Sequence, residues 1–437
     1  MKHHTLINIT IMGWALLLPL AATASNSGMI TEEAAVAEAL ANNRSIAGMQ
    51  SRAEAMNYVP AQEGSLPDPV LSLNALNLPT DSFSTTRENM TQMQVGISQS
   101  IPFPGKLGLQ EEIATFEADA SHASAAETRL KVTRDVRLLW WNLFYLDRAI
   151  GTLKRNQDLL RQFAKIAESK YKTGKGLQAD VLMAQVELSK LLDAEISLNA
   201  TRHDQAAQFN ALLNRPVESE IALPDQIDES LSVSLDTNDL RHRAQTFRPR
   251  LNAQKSRIEA ADRRKALAEK GYYPDFKLGG AYGYRNGINP ITAQKRTNLA
   301  SIQLSMTIPL YAGSKQSSAV QQRKAEAAME QFDLEDMVNS VDAEIERAVA
   351  DYRASNRQAS LFKTGIIPQA SQSVASMLSA YQVNKVDLLN LINAQVTLYN
   401  YETQYWKAVS SGKQALARLE AAVGSNPNIS GKETSHE

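Results

Sequence analysis

The 437-residue chain has no cysteine. That absence excludes disulfides, thiolate metal sites, thiol catalysis and an N-terminus lipidated on cysteine. The chain also lacks an excess of either charge, with 46 Lys+Arg against 47 Asp+Glu. Recognition of nucleic-acid phosphates needs a basic excess on some face, so no nucleic-acid partner is expected. Charged runs such as Arg263-Arg264-Lys265, with Glu259 and Glu269 close by, read as solvated helix faces. Histidine is sparse: His3 and His4 near the start, then His122, His203, His242 and His436, none with a second histidine at helical spacing. There is no nucleophile motif and no phosphate loop. No enzyme, cofactor or metal centre is expected, and the dispersed methionines read as packing.

Long apolar runs are lacking too, with one exception at the N-terminus. Lys2 is followed by the apolar stretch Ile11 to Leu20 and then by Ala22-Thr23-Ala24, the pattern of a secretory signal peptide over 1–24. Beyond it, no run approaches the 18 or so residues of a membrane helix. An exported chain of this kind is periplasmic, secreted or a β-barrel of an outer membrane.

The chain is long enough for two or three ordinary domains, and it is written twice. YKTGKGLQADVLMAQVEL from Tyr171 returns as YQVNKVDLLNLINAQVTL from Tyr381, displaced by 210 positions. VGISQSIPF, Val95 to Phe103, matches IQLSMTIPL, Ile302 to Leu310, displaced by 207. Order and spacing hold across each half, so the chain reads as a duplicated unit. The first repeat covers 25–213, an equatorial linker rich in Pro, Asp and Ser covers 214–237, the second repeat covers 238–424, and a polar tail covers 425–437. Each repeat opens on a helical stretch, Thr31 to about Ala61 and Asn238 to about Lys270. Thr31, and Thr237 or Asn238, are candidate N-caps. Two strands follow, about 68–78 and 91–102, then about 274–286 and 298–309. Each repeat closes on a long helical hairpin, 106–213 and 314–424.

The strand segments carry period-two alternation. Met93, Val95 and Ile97 alternate with Gln92, Gln94, Gly96 and Ser98, and Ile302, Leu304, Met306 and Ile308 with Ser301, Gln303, Ser305 and Thr307. Phe276 to Arg285 behaves likewise, and Val70 to Leu76 less cleanly. Their length and the flanking aromatics Phe103, Tyr272, Tyr273 and Tyr311 fit outer-membrane strands with interfacial girdles. Four strands cannot close a barrel, and open edges in lipid cost several kcal/mol per unpaired group. If these strands span a membrane, the chain must therefore oligomerise. A dimer would supply eight strands and a trimer twelve, and strand arithmetic does not choose.

The returning helices show the four-three spacing of packed long helices, at Leu177, Val181, Ala184, Leu188 and Leu191, and at Leu391, Ala394, Leu398, Tyr401, Tyr405 and Ala408. The repeated turn is then a hairpin tip far from the strands. Gly174 and Asn384 stand where the outgoing helix must end, and Asp180 and Asp387 suit the start of the returning helix. Such a tip is either a well-made turn and nothing more, or a docking knob at the exposed far end of the molecule.

These features together resemble the outer membrane factor, or TolC-like, family. The tip segments look like that family's two periplasmic tip motifs. LPDPVLSLNALNLPTDSFSTTRENMTQMQVGISQSIPFPGK, from Leu66 to Lys106, resembles the subgroup in heavy-metal efflux systems. The resemblance implies a mainly α fold with a membrane β-barrel: a homotrimer with a twelve-stranded outer-membrane barrel continued by a periplasmic α-barrel. It implies a passive exit duct serving a periplasmic adaptor and a proton-driven inner-membrane pump. Gly174, Lys175, Gly176, Asn384, Lys385 and Val386 would meet the adaptor. Where some members carry acidic rings at the closed entrance, this chain has Asn390 and Asn393, which leaves Asp180 and Asp387 as acidic gate candidates. A conduit for drugs or for type I protein secretion is the alternative, and a soluble periplasmic coiled-coil scaffold is the alternative of another class.

Overall fold

The computed structural model describes residues 29–424. The leader read at 1–24 and the tail read at 425–437 lie outside the described residues. The first copy runs α1 (Glu32–Asn42), α2 (Arg44–Met56), α3 (Val59–Glu63), β1 (Val70–Leu76), β2 (Gln92–Ile101), α4 (Lys106–Lys172) and α5 (Gln178–Leu213). The second runs α6 (Thr237–Phe247), α7 (Pro249–Glu269), β3 (Phe276–Tyr284), β4 (Leu299–Met306), α8 (Ser317–Leu361), α9 (Ile367–Gln382) and α10 (Leu388–Val423).

The opening helical stretches are broken, and the breaks have local causes. Asn43 turns extended, and its side chain accepts from the N–H groups of Ser45 and Ile46, capping α2 instead of continuing α1. In the second copy Arg248 is extended and Pro249 starts a new helix, because proline disfavours the helical conformation in the residue before it. The cap of α6 is Asp236, which accepts from Asn238 N–H. Thr237 and Asn238 lie inside the helix they were expected to cap.

At 67 residues, α4 is about 100 Å long. Its counterpart in the second copy is re-registered. A π-turn at Phe362–Ile366 separates α8 from α9. Pro368, in the first turn of α9, has no N–H to return to the preceding turn, so the hydrogen-bond ladder shifts there. The linker is strapped onto this region. Tyr405 donates to Glu229 at 2.6 Å, Lys363 on the π-turn lies 3.5 Å from the same carboxylate, and Val233 N–H donates to Tyr352 at 2.8 Å.

The four strands form one antiparallel sheet in chain order. Its register sorts the side chains into two faces. Leu73, Val95 and Tyr282 stand directly opposite one another, as do Ile97 and Gly280, then Leu278 and Leu304. This face is apolar and uncovered, with Ile302 88% exposed. The other face carries Ser72, Gly96 and Ala281 in one row and Ser98 and Gly279 in the next. Among the described residues, β1 and β4 are edges with a partner strand on one side only.

Below the sheet the helices pack through separate clusters. One gathers Trp140, Trp141, Phe144 and Phe209 between α4 and α5, with Trp140 Nε1 donating to Ile30 O at 3.0 Å. Another fills the far half of the two hairpins around Leu160, Phe163, Tyr381, Leu388 and Leu391. Where the two copies meet, Arg248 forms a paired contact with Glu127 of α4, at 3.0 and 2.8 Å, and both are buried.

Candidate functional site at the hairpin tips

The two tips are built alike, atom for atom along the backbone. At the first, α4 ends at Lys172, Gly174 adopts φ +69°, and Lys175 N–H donates to Lys170 O at 2.8 Å. At the second, α9 ends at Gln382, Asn384 adopts φ +61°, and Lys385 N–H donates to Ala380 O at 2.9 Å. Glycine and asparagine are the residues that take this left-handed conformation at least cost. The turn is therefore conserved within the molecule as geometry, displaced by the same 210 positions as the sequence.

The side chains differ in a matched way. A Cβ on Gly176 would lie 2.8 Å from Lys170 Cβ. In the second copy the same two positions hold Val386 and Ala380. The large residue has moved from the helix end to the turn. We expect Gly176→Val to destabilise the first tip by about 1–3 kcal/mol, and Lys170→Ala in the same chain to restore it by recreating the second tip's pairing. Hydrogen exchange at the tip reads both. Full protection in the single variant would show that the pairing does not matter.

Freed from its own turn, Lys170 reaches the other tip. Its ammonium donates to Asn384 Oδ1 at 2.6 Å and to Tyr381 O, and it sits 4.0 Å from the centre of the Tyr381 ring. Lys170 thus joins the two turns at the end of the apolar cluster that packs the hairpins together. Tyr381 is buried, and its hydroxyl has no hydrogen-bond partner among the described residues. Burial pushes its phenol up, and the neighbouring Asp180 charge adds to the shift.

The sequence-read residues fall in two sets here. Gly174, Lys175, Asn384 and Lys385 are exposed on the turns, while Gly176 and Val386 are half-buried. Of the gate candidates, Asp180 lies in the first turn of α5 and is half-buried, and Asp387, the residue before α10, is exposed, as are Asn390 and Asn393 within it. Leu177, the first residue of the returning stripe, is exposed, whereas Ala184, Leu191, Leu391 and Leu398 are buried. Lys170 escaped the sequence reading, although the swap of Lys170 and Gly176 for Ala380 and Val386 was visible there. The aromatics Phe103, Tyr272, Tyr273 and Tyr311 are at the opposite end, between strands and helices, with Phe103 stacked on Tyr273 at 4.5 Å. No group of His, Asp and Glu among the described residues could hold a metal ion. No described helix is long and apolar enough to cross a membrane.

Residues 35–215 and again 240–425 match the family described as outer membrane efflux protein. Nodulation protein T of Rhizobium leguminosarum bv. trifolii is 22% identical over 430 residues, covering 96% of this chain and 89% of that protein. The cobalt-zinc-cadmium resistance protein CzcC of Cupriavidus metallidurans is 22% identical over 409 residues, covering 91% of each. Among solved structures, the outer membrane protein VceC of Vibrio cholerae superimposes with a TM-score of 0.76 at 17% identity, covering 90% of this chain and 96% of that one.

Proposed function

The chain belongs to the outer membrane efflux protein family, and from that premise we propose that three copies form one passive exit duct serving an inner-membrane pump through a periplasmic adaptor. The protein is an outer-membrane efflux channel that extends into the periplasm. The observation that carries the mechanism is the four-stranded sheet, apolar on one face, polar on the other and open at both edges. Three such sheets joined edge to edge leave no unpaired strand and turn the apolar faces to lipid. Phe103, Tyr272, Tyr273 and Tyr311 then stand at the periplasmic interface of the membrane. The long helices below continue the wall as a tunnel of about 100 Å.

The duct itself does no work on its cargo. The energy comes from the pump, proton-driven in this reading, and the adaptor holds the tips at Gly174, Lys175, Gly176, Asn384, Lys385 and Val386. The cargo we assign is heavy-metal cations, supported by the likeness to CzcC along nearly the whole of both chains. Growth of a deletion strain, with and without the restored gene, on Zn²⁺, Co²⁺, Cd²⁺, Ni²⁺ and Cu⁺ or Ag⁺ and on a drug and bile-salt panel tests this. Selective, complemented metal sensitivity is expected. Drug sensitivity with normal metal tolerance would leave a drug conduit instead, and no phenotype on either panel would point to redundancy or protein secretion.

Closure of the entrance rests on the tips. Asp180 is the acidic group whose charge acts on Tyr381 in the clamp, and three copies around the axis form a like-charge ring if they face it. Asp180→Ala is expected to raise single-channel conductance or weaken its block by divalent cations. Bilayer recordings unchanged in both respects would remove Asp180 from the gate.

A further inference from the structure

Among the described strand residues, Lys277 is the single charged one. The register places it on the polar face, directly opposite Ser100 of β2 and Ser305 of β4. The other β3 positions on that face are Gly279, Ala281 and Gly283, and their neighbours include Ser98, Gly96, Ser301 and Gln303. A lumen so lined is neutral except at this level.

The ammonium is also uncompensated. Lys277, Ser100, Ser305 and Thr307 border a hollow of about 350 Å³ together with Asp275. Asp275 is already engaged, however. Its carboxylate accepts from the Lys106 ammonium and from Phe103 N–H, both at 2.8 Å. No carboxylate among the described residues pairs with Lys277, which is exposed. Nothing in the strand pairing needs a lysine there, since the other β3 positions on that face are glycine or alanine.

We infer that Lys277 sets the ion preference of the duct at the base of the barrel. This rests on the trimeric conduit proposed above, in which three copies form a cationic collar around the lumen. The collar favours small anions, such as chloride, phosphate and carboxylates, and passes the metal cargo assigned above more readily as anion-bound complexes than as bare cations. A charged ring in a narrow pore acts on every passing ion, and its reach contracts as salt rises.

The test is the reversal potential of the purified full-length protein in planar bilayers under a potassium chloride gradient. Lys277→Gln is expected to lower the chloride-to-potassium permeability ratio about two- to five-fold at low salt, with a smaller change at 1 M. Lys277→Glu is expected to lower it further, and Lys277→Arg to preserve it. Channels of normal conductance with an unchanged ratio in the Gln variant would overturn the collar and leave the conduit standing. A wild-type protein that never conducts would overturn the conduit, and the collar with it.

Discussion

Ile97→Arg is expected to remove the protein from the outer membrane, while Ser98→Arg, one residue along the same strand, is expected to leave it there. Ile97 stands on the apolar face, opposite Leu71 and Gly280, and is 58% exposed in the single chain. Ser98 stands on the other face, opposite Val70 and Gly279. An arginine facing lipid near mid-depth costs about 2–4 kcal/mol per chain, and a homotrimer meets that cost three times. An arginine facing the water-filled lumen keeps its hydration. Fractionation of membranes with and without detergent reads both variants. Equal loss from both would overturn the assignment of faces, and a wild-type protein that washes off without detergent would favour the soluble scaffold.

Arg248→Ala is expected to cost about 3–5 kcal/mol, because it strands the buried Glu127 carboxylate without its partner. The guanidinium does two things at once. It holds Glu127 of α4 with two hydrogen bonds, at 3.0 and 2.8 Å, and it donates to Ala421 O in the last turn of α10. One side chain therefore ties the first copy's long helix to the end of the second copy's returning helix. Glu127→Gln should cost less, since the amide oxygen still accepts from the guanidinium, which keeps Glu344 as a counter-ion 3.7 Å away. Replacing both residues by apolar ones of similar size should recover part of the loss, and a double-mutant cycle on thermal unfolding measures how much. A single Arg248→Ala variant as stable as the parent would show that the pair contributes nothing.

Much of the architecture was legible because it is periodic. Alternation marks β2 and β4 plainly, since nearly every second residue is apolar. It is blurred in β1, where Val70 and Leu76 put apolar residues at both ends of the polar face. The duplication was visible at the tips because identical residues recur 210 positions apart, among them Tyr171 and Tyr381, and Lys175 and Lys385. Where the reading fell short, one side chain had overruled a run of helix-forming neighbours. Asn43 offers its carboxamide to two backbone N–H groups and ends α1, and Pro249 and Pro368 each withhold an N–H. The Lys170 clamp depends on a partner 214 positions away, and no local pattern encodes such a distance. The proposed adaptor contacts would belong to surfaces that meet another chain, and a single chain's packing does not specify them.

The two unpaired edges of the sheet, β1 and β4, carry a genetic consequence. No copy can bury its own edges, so each copy's fate is shared with the others in its ring. A variant that still offers both edges but obstructs the passage enters rings alongside normal copies. With the three copies per ring proposed above and equal supply, only about one ring in eight would be free of it. Such an allele is dominant. One that spoils an edge excludes itself from the ring, and is recessive.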